Sequence, residues 1–514
     1  MEEDTNPENM ALTNHSRPES KITRLPPELV SQVFQQLRED PKSISPKELN
    51  DLCNLRHACK YFANVGSEYT IKTVLQKFSG DWTRLAVLFT RRDLERLGNL
   101  TSDPRLKNMA AKVRMLFFVG WAANPDMASE IDKYYESTLR YETGPWVPMD
   151  KSKHPPIDES PEAKEAWCQR FRDLVEEQHD IKAQMSAMLH QVLPSLTGLL
   201  NFYYQAGGMN NNPATRSRHT SLSPLQPKAA FGAKRGWNQI QRPGHDVELI
   251  YICLRAFIKQ KVTLRSMSLA WLDWSFFHVK NTHGLPKILE TDLFTDLYHF
   301  TLWMNNSFSA IDLSTGCKWK KKSGKEEENN SAAGGCAHEI VSSGIVAEFL
   351  ESMEHLRTLS IHFPGCGYSK KYFNLPAPKL EWVVPIEKRW RYLDDLHIGG
   401  VLCSLEELEY LVQNHKKRLR KIKLSHIRLV GSTIRNLLVT LHRDFPDITE
   451  FWIDGLCIGN LDEYGLPLGT VPEDRWSING ALEKKISKWF TSPRLWWREY
   501  EEEYCPLDDW ENGK

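Results

Sequence analysis

The sequence predicts a helix-rich α/β protein with a small helical module near its N-terminus, a helical linker and a repetitive α/β solenoid in its C-terminal half. Three observations lead to this class. Short amphipathic helical patterns occur between residues 22 and 78, an apolar string recurs six times from residue 264 onward, and helical stretches precede several of these strings. A chain of 514 residues corresponds to roughly three domains of average size, enough to bury a large core.

The first element after a polar, disordered segment at 1–21 is the helical module at 22–78. Leu29, Val33 and Leu37 are spaced at i, i+4 and i+8, which forms one stripe of an amphipathic helix. Pro26 and Glu28 suit its first turn, because proline needs no hydrogen-bond partner there and a carboxylate favours the positive helix end. Two further apolar stripes, at 49–62 and 71–78, predict two more short helices.

The order of these residues resembles the F-box, a three-helix module that docks onto the Skp-type adaptor of Skp–cullin–F-box ubiquitin ligases. The resemblance implies an adaptor-binding surface, with the cullin ligase core as a further partner. A polar insertion at 38–47 departs from the family pattern. The alternative is that these apolar positions cap the open end of the solenoid. The matching positions are Leu25, Pro26, Glu28, Leu29, Val33, Leu37, Leu52, Leu55, Arg56, Cys59, Lys60 and Phe62.

The second element, at 79–195, is predicted to be a helical linker region. Helical patterns cover 82–97 and 104–111, and a short buried strand is predicted at 113–119. A long helix should start near Pro161, since apolar residues recur on one side of the segment that follows.

The third element is a repeat of the form apolar-x-x-apolar-x-apolar. The last two intervals, 26 and 29 residues, match the length of leucine-rich repeats, and longer intervals contain predicted loops at 205–244 and 320–337. One unit cannot bury its apolar face alone, whereas stacked units can. We therefore predict a leucine-rich-repeat-like solenoid over 196–462 and a C-terminal tail at 463–514; with the F-box, the chain resembles the fungal type with irregular repeats. Copies of the string begin at Leu264, Leu297, Leu356, Leu393, Leu419 and Ile448.

Strand alternation assigns the residues between the apolar positions to the concave surface of the solenoid, where we predict target binding. Trp303 and Trp452 would be unusual on a solvated face and suit an anchoring role. The alternative is that a loop or the tail, through Trp496 and Trp497, covers them. The predicted target-binding residues are His299, Trp303, Ser360, His362, Asp395, His397, Lys421, Lys423, Glu450 and Trp452.

A basic run at 416–423 adjoins this predicted surface. Asp395, Glu450 and Asp454 lie on the neighbouring rungs, so the run indicates a solvated turn and strand face rather than a nucleic-acid site. Its lysines could also complement an acidic or phosphorylated target.

Composition and motifs exclude several functional classes. Lysine plus arginine and aspartate plus glutamate both number 66, and this zero net charge argues against nucleic acid or a membrane as partner. The longest apolar run, 115–123, is too short to span a bilayer, and no secretory signal is visible. No phosphate-binding loop, hydrolase, metalloprotease or kinase motif occurs, and the cysteines lack metal-site spacing. We expect no cofactor and no metal.

These features together predict the substrate-recognition subunit of a Skp–cullin–F-box E3 ubiquitin ligase, located in the cytoplasm or nucleus. The F-box would hold the adaptor, the repeats would hold a target protein, and the chain would have no catalytic site of its own. The alternative is a repeat-based protein-interaction scaffold with an F-box-like hairpin and no ligase role.

Overall fold

The chain divides into two compact units, Met1–Trp82 and Thr83–Lys514. In the smaller unit Leu29 is helical, its backbone N–H donates to the Pro26 carbonyl (3.0 Å), and its side chain is 45% exposed. Pro26 is exposed, and the other ten predicted adaptor-binding residues lie outside the described part of the chain. The computed structural model describes residues 26, 29, 32, 83–120, 123, 160–205, 245–277, 285–304, 340–363, 377–466, 468, 474–491 and 505–511.

The larger unit confirms the mixed α/β class, with a large parallel sheet and eleven α-helices among the described residues. Its strands are β1 (Arg84–Leu88), β2 (Met115–Val119), β3 (Asn201–Gln205), β4 (Ser266–Leu272), β5 (His299–Met304), β6 (Thr358–His362), β7 (Asp395–Gly399), β8 (Leu402–Ser404), β9 (Lys421–Ser425), β10 (Arg428–Val430), β11 (Glu450–Leu461) and β12 (Asp474–Ile478). Its α-helices are α1 (Arg91–Ser102), α2 (Lys107–Ala110), α3 (Pro161–Val192), α4 (His245–Lys259), α5 (Leu285–Leu289), α6 (Ile345–Glu351), α7 (Leu380–Val383), α8 (Leu405–His415), α9 (Ile434–Asp444), α10 (Gly480–Thr491) and α11 (Pro506–Glu511). Short 3-10 helices cover Pro104–Leu106, Leu193–Ser195, Trp274–Phe277 and Asp292–Phe294.

The sheet follows the order of the chain. β1 to β7 pair one after another, β7 pairs with β9, and β9 pairs with the first half of β11, all in parallel. The short strands β8 and β10 form a second parallel ladder with the second half of β11, and β12 adds to that half in the antiparallel direction.

The register aligns the apolar residues of nine strands into two continuous buried columns. Each side chain in them is 7% exposed or less, and burying one aliphatic or aromatic side chain contributes about 1.5–3 kcal/mol. The first column is Leu85, Leu116, Phe202, Met267, Phe300, Leu359, Leu396, Ile422 and Phe451. The second is Val87, Phe118, Tyr204, Leu269, Leu302, Ile361, Ile398, Leu424 and Ile453.

Helices cover the face of the sheet that carries these columns. On α4 the ring of Phe257 meets Phe202 edge-on, with centroids 4.8 Å apart. On α10 the ring of Phe490 stacks on Phe451 at 4.0 Å. On α6, Phe349 meets Phe300 at 5.4 Å. The side chains between the buried columns therefore point to the opposite face of the sheet, because successive residues of a strand alternate.

The sheet begins earlier in the chain than the predicted solenoid boundary at residue 196. The predicted strand at 113–119 is β2, and β1 precedes it where a helical pattern was predicted. Both strands show the same alternation of buried and partly exposed residues as later strands. The predicted long helix near Pro161 is α3, which packs against α1 and α4. No helix in the described ranges is long and apolar enough to cross a membrane.

Candidate functional site

All ten predicted target-binding residues lie on the face opposite the helices, and we call this the polar face. It consists of residues 1, 3 and 5 of the in-register strands, counted from Ser266 in β4, His299 in β5, Thr358 in β6, Asp395 in β7, Lys421 in β9 and Glu450 in β11. The alternation of side chains and the parallel register place these residues on one surface. Their role in binding stays a prediction.

The centre of the polar face holds a hydrogen-bonded chain around His397. Its Nδ1 lies 3.0 Å from Ser360 Oγ, and its Nε2 lies 3.2 Å from Ser425 Oγ. The Ser425 hydroxyl also hydrogen-bonds to the Asp454 carboxylate. A carboxylate only accepts, so Ser425 donates to Asp454 and has no proton left for His397. His397 therefore donates through Nε2, and Ser360 donates to Nδ1.

The ring of His362 packs against Gly399, its register partner on the next strand, which has no side chain. A Cβ added to Gly399 would overlap His362 Nδ1, so the imidazole would have to move if any other residue stood opposite it. The His362 ring lies 6.0 Å from His426 and 6.5 Å from His397, measured between centroids. We call these three residues the histidine cluster.

Burial keeps the histidine cluster neutral near neutral pH. Desolvation, reinforced by His426 and His397, lowers the pKa of His362 to about 3. Desolvation, reinforced by Lys423, lowers the pKa of His397 to about 4. Desolvation also lowers the pKa of His426, although Asp454 opposes this effect. The imidazoles therefore act as neutral hydrogen-bonding groups.

Two non-glycine residues of the site, Trp271 and His426, adopt a backbone conformation that favours glycine. Trp271 lies within β4 (φ 61°), and His426 directly follows β9 (φ 53°). At the aligned positions the chain has glycine, namely Gly400 directly after β7 (φ 71°) and Gly455 within β11 (φ 80°). A non-glycine residue in this region costs about 1–2 kcal/mol. Such strain is typical of functional sites, where it serves to aim a side chain.

Trp271 and Trp303 form an aromatic pair at one end of the polar face. Their rings are stacked with centroids 5.5 Å apart at 15°, and His362 meets Trp303 edge-on at 5.0 Å. Trp303 is 41% exposed, whereas Trp452 is partly buried. Trp496 and Trp497, the proposed covering residues, lie outside the described part of the chain.

The lysines of the polar face are paired with carboxylates of the next strand. Lys421 Nζ lies 2.6 Å from Glu450 Oε1, and Lys423 Nζ lies 3.0 Å from Asp454 Oδ2. Burial raises the pKa of Asp454, but hydrogen bonds from Ser425 and Lys423 outweigh it, so the pKa is lowered overall. Asp395 shows the opposite result, because burial raises its pKa more than Lys421 lowers it. Both lysines are thus already paired with carboxylates of the same sheet.

The repeat pattern of the sequence did not predict two members of this site, Trp271 and His426. Trp271 lies within β4 and His426 directly follows β9, and both have a positive φ, so the alternation of an extended strand does not predict where their side chains lie. The signal that would have found them is the alignment of β4 and β9 with β7 and β11, which have glycine there.

The arrangement suits binding better than covalent chemistry. Ser360 donates to His397 as a nucleophile would, but β6 and β7 commit their backbone groups to the sheet and cannot stabilise an oxyanion there. Within the described ranges, no group of three or more His, Cys, Asp or Glu side chains is placed to hold a metal ion. The site is a rigid, mostly neutral surface with aromatic and hydroxyl groups.

The fold and this surface define a mixed α/β protein with a large parallel sheet. The helix contacts described above all lie on the sheet face that carries the buried columns, and the polar face is the other one. No model of a known protein family matches the chain, and no curated protein matches it in sequence.

Proposed function

We propose that the chain is the substrate-recognition subunit of a Skp–cullin–F-box E3 ubiquitin ligase, working in the cytoplasm or nucleus. The observation that carries the proposal is the polar face, on which six parallel strands present side chains in register. With about 4.8 Å between strands, this surface is about 24 Å long, enough for a short protein segment. The parallel strands in chain order also support an irregular leucine-rich-repeat solenoid as the architecture of this unit.

The adaptor-binding half of the proposal rests on the F-box resemblance at 22–78. One described feature supports it. Leu29 is helical and 45% exposed, so an apolar side chain is available where the resemblance places the adaptor contact. An exposed leucine stabilises an interface when a groove of the partner buries its side chain.

In this proposal the chain accelerates ubiquitin transfer without reacting groups of its own. The F-box binds the ligase, the polar face binds the target, and the target lysines are thereby concentrated near the ubiquitin carrier. Linking two binding sites in one chain raises the effective concentration of the second partner to about the millimolar range.

Co-expression of the full chain with a Skp-type adaptor tests this function. The wild type should co-purify with the adaptor, and Leu25→Ala combined with Pro26→Ala should abolish co-purification. The matched control is Leu466→Ala combined with Pro467→Ala, which changes the same dipeptide elsewhere in the chain. The control variant should bind the adaptor as the wild type does.

The outcomes separate the function from the site. Failure of the wild type to co-purify would overturn the ligase role and favour the scaffold without a ligase role. Binding that survives the double change at 25 and 26 would show that the adaptor contacts another surface. Loss in both double variants would indicate a folding defect, which circular dichroism of the purified variants detects.

A further inference from the structure

The exposed indole of Trp303 is held rigidly from two sides. Trp271 stacks on it with 15° between the rings, and His362 contacts it edge-on. A rigid aromatic side chain loses little conformational entropy when a partner binds. The positive φ of Trp271 shows that the fold maintains this stacking at a cost in backbone strain. This combination indicates a binding surface rather than incidental exposure.

The charges of the polar face leave one carboxylate in excess. Lys421 pairs with Glu450 and Lys423 pairs with Asp454, so these four charges cancel. Lys421 also lowers the pKa of Asp395, on β7, but its ammonium group is paired with Glu450, and among the described residues no ion pair is formed by Asp395; the neighbouring histidine cluster is neutral. The face from β4 to β11 therefore carries one net negative charge, which complements a cation and opposes a phosphate.

The two anchors are separated by a distance that a short peptide can span. Trp303 and Asp395 lie two strands apart across the sheet and four residues apart along the strand direction. These offsets correspond to about 10 Å and about 13 Å, or about 16 Å along the diagonal. An extended chain covers that distance in about five residues.

We propose that the polar face binds a basic segment of the target protein in an extended conformation. One arginine or lysine side chain stacks on the Trp303 indole, and a second cation, about five residues away in the segment, pairs with Asp395. This inference deepens the proposed function and rests on it only for the identification of the partner as a ligase target. It replaces the expectation that the lysines of this face select an acidic or phosphorylated target.

Fluorescence anisotropy with the purified full chain tests the proposal. The probe is a fluorescein-labelled nine-residue peptide of glycine and serine with arginine at its second and seventh positions. Two matched peptides have glutamate or phosphoserine at those positions. We expect the arginine peptide to bind more tightly than both.

Three variants locate the binding on the polar face. Trp303→Ala should weaken binding of the arginine peptide by about 2-fold to 30-fold, the range of cation–π contacts from exposed to desolvated sites. Asp395→Asn should weaken it by about 2-fold to 5-fold and reduce its dependence on salt. Tyr410→Ala is the control, since Tyr410 is an exposed aromatic residue (48%) on α8, away from the polar face. It should leave the affinity unchanged.

Several results would overturn the proposal. They are tighter binding of the glutamate or phosphoserine peptide, no binding of the arginine peptide at about 1 mM, and arginine-peptide binding that neither Trp303→Ala nor Asp395→Asn weakens. The adaptor is absent from this assay, so its outcome is independent of co-purification. Peptide binding without adaptor binding would overturn the ligase role alone, and the reverse result would overturn the basic target alone.

Discussion

Acidification from pH 7.5 to pH 5.0 should destabilise the sheet through His362 and His397. Their folded-state pKa values are about 3 and about 4, chiefly because of desolvation, whereas an unfolded histidine titrates near its ordinary value of about 6.5. At pH 5.0 the unfolded chain therefore binds a proton at each imidazole, and the folded chain does not. The stabilising contribution is complete above about pH 6.5 and is lost as the pH falls toward the folded-state values.

The size of this effect follows from the pKa differences. Linkage gives about 2 kcal/mol for each histidine between pH 7.5 and pH 5.0. Both side chains are partly exposed, so solvent screening reduces the contribution, and about 1–2 kcal/mol for each is expected. The pair should therefore account for about 2–4 kcal/mol of lost stability.

Urea unfolding followed by tryptophan fluorescence measures this loss at the two pH values. The double variant His362→Gln/His397→Gln should lose about 2–4 kcal/mol less on acidification than the wild type, because its glutamines bind no protons. His179→Gln, at an exposed position of α3, is the control and should behave as the wild type. If the double variant and the wild type lose equal stability between pH 7.5 and 5.0, the neutral histidine cluster is not the source of acid sensitivity.

Two further predictions concern the free energy of unfolding. Gly400→Ala should lower it by more than about 3 kcal/mol, because the new Cβ would overlap the Phe363 carbonyl oxygen. Gly344 is also left-handed but lies in open space, so Gly344→Ala should lower it by only about 1–2 kcal/mol, and equal urea midpoints for the two variants would contradict this. Ser404→Ala should lower the free energy of unfolding by about 1 kcal/mol in the same assay. The change removes the capping box, in which the Glu407 N–H donates to Ser404 Oγ (3.1 Å). An unchanged urea midpoint would show that the cap does not stabilise the fold.

The later strands were predictable because their sequence signal is local. The string that starts at Leu393 continues with Leu396 and Ile398, and both lie in the buried columns. The strict alternation of a strand then determines which residues point to the polar face. β3 was missed although it follows the same rule, because aromatic residues at Phe202 and Tyr204 take the place of aliphatic ones and a long segment separates it from β4.

The side-chain contacts between strands were only partly predictable from the sequence. The repeat places Asp395, Glu450 and Asp454 on the rungs next to the basic run, but it does not show which carboxylate pairs with which lysine, because that depends on the conformations of the side chains. In the structure Lys421 pairs with Glu450 and Lys423 with Asp454. The same holds for the hydrogen bonds of His397 to Ser360 and Ser425, which lie on the two strands on either side of it.

The pairs of rings and glycines also explain why the sheet has one register. A parallel strand that slips by two residues keeps its apolar side chains inside, so the buried columns alone do not exclude such a slip. A Cβ added to Gly399 would overlap the His362 ring, one added to Gly455 the His426 ring, and one added to Gly120 the Tyr204 ring. A two-residue slip of β7 would place His397 or Val401 where Gly399 lies, and the imidazole of His362 would have no room. These three pairs of a ring and a glycine disfavour a shifted alignment of neighbouring strands, and they thereby fix the spacing of the side chains on the polar face.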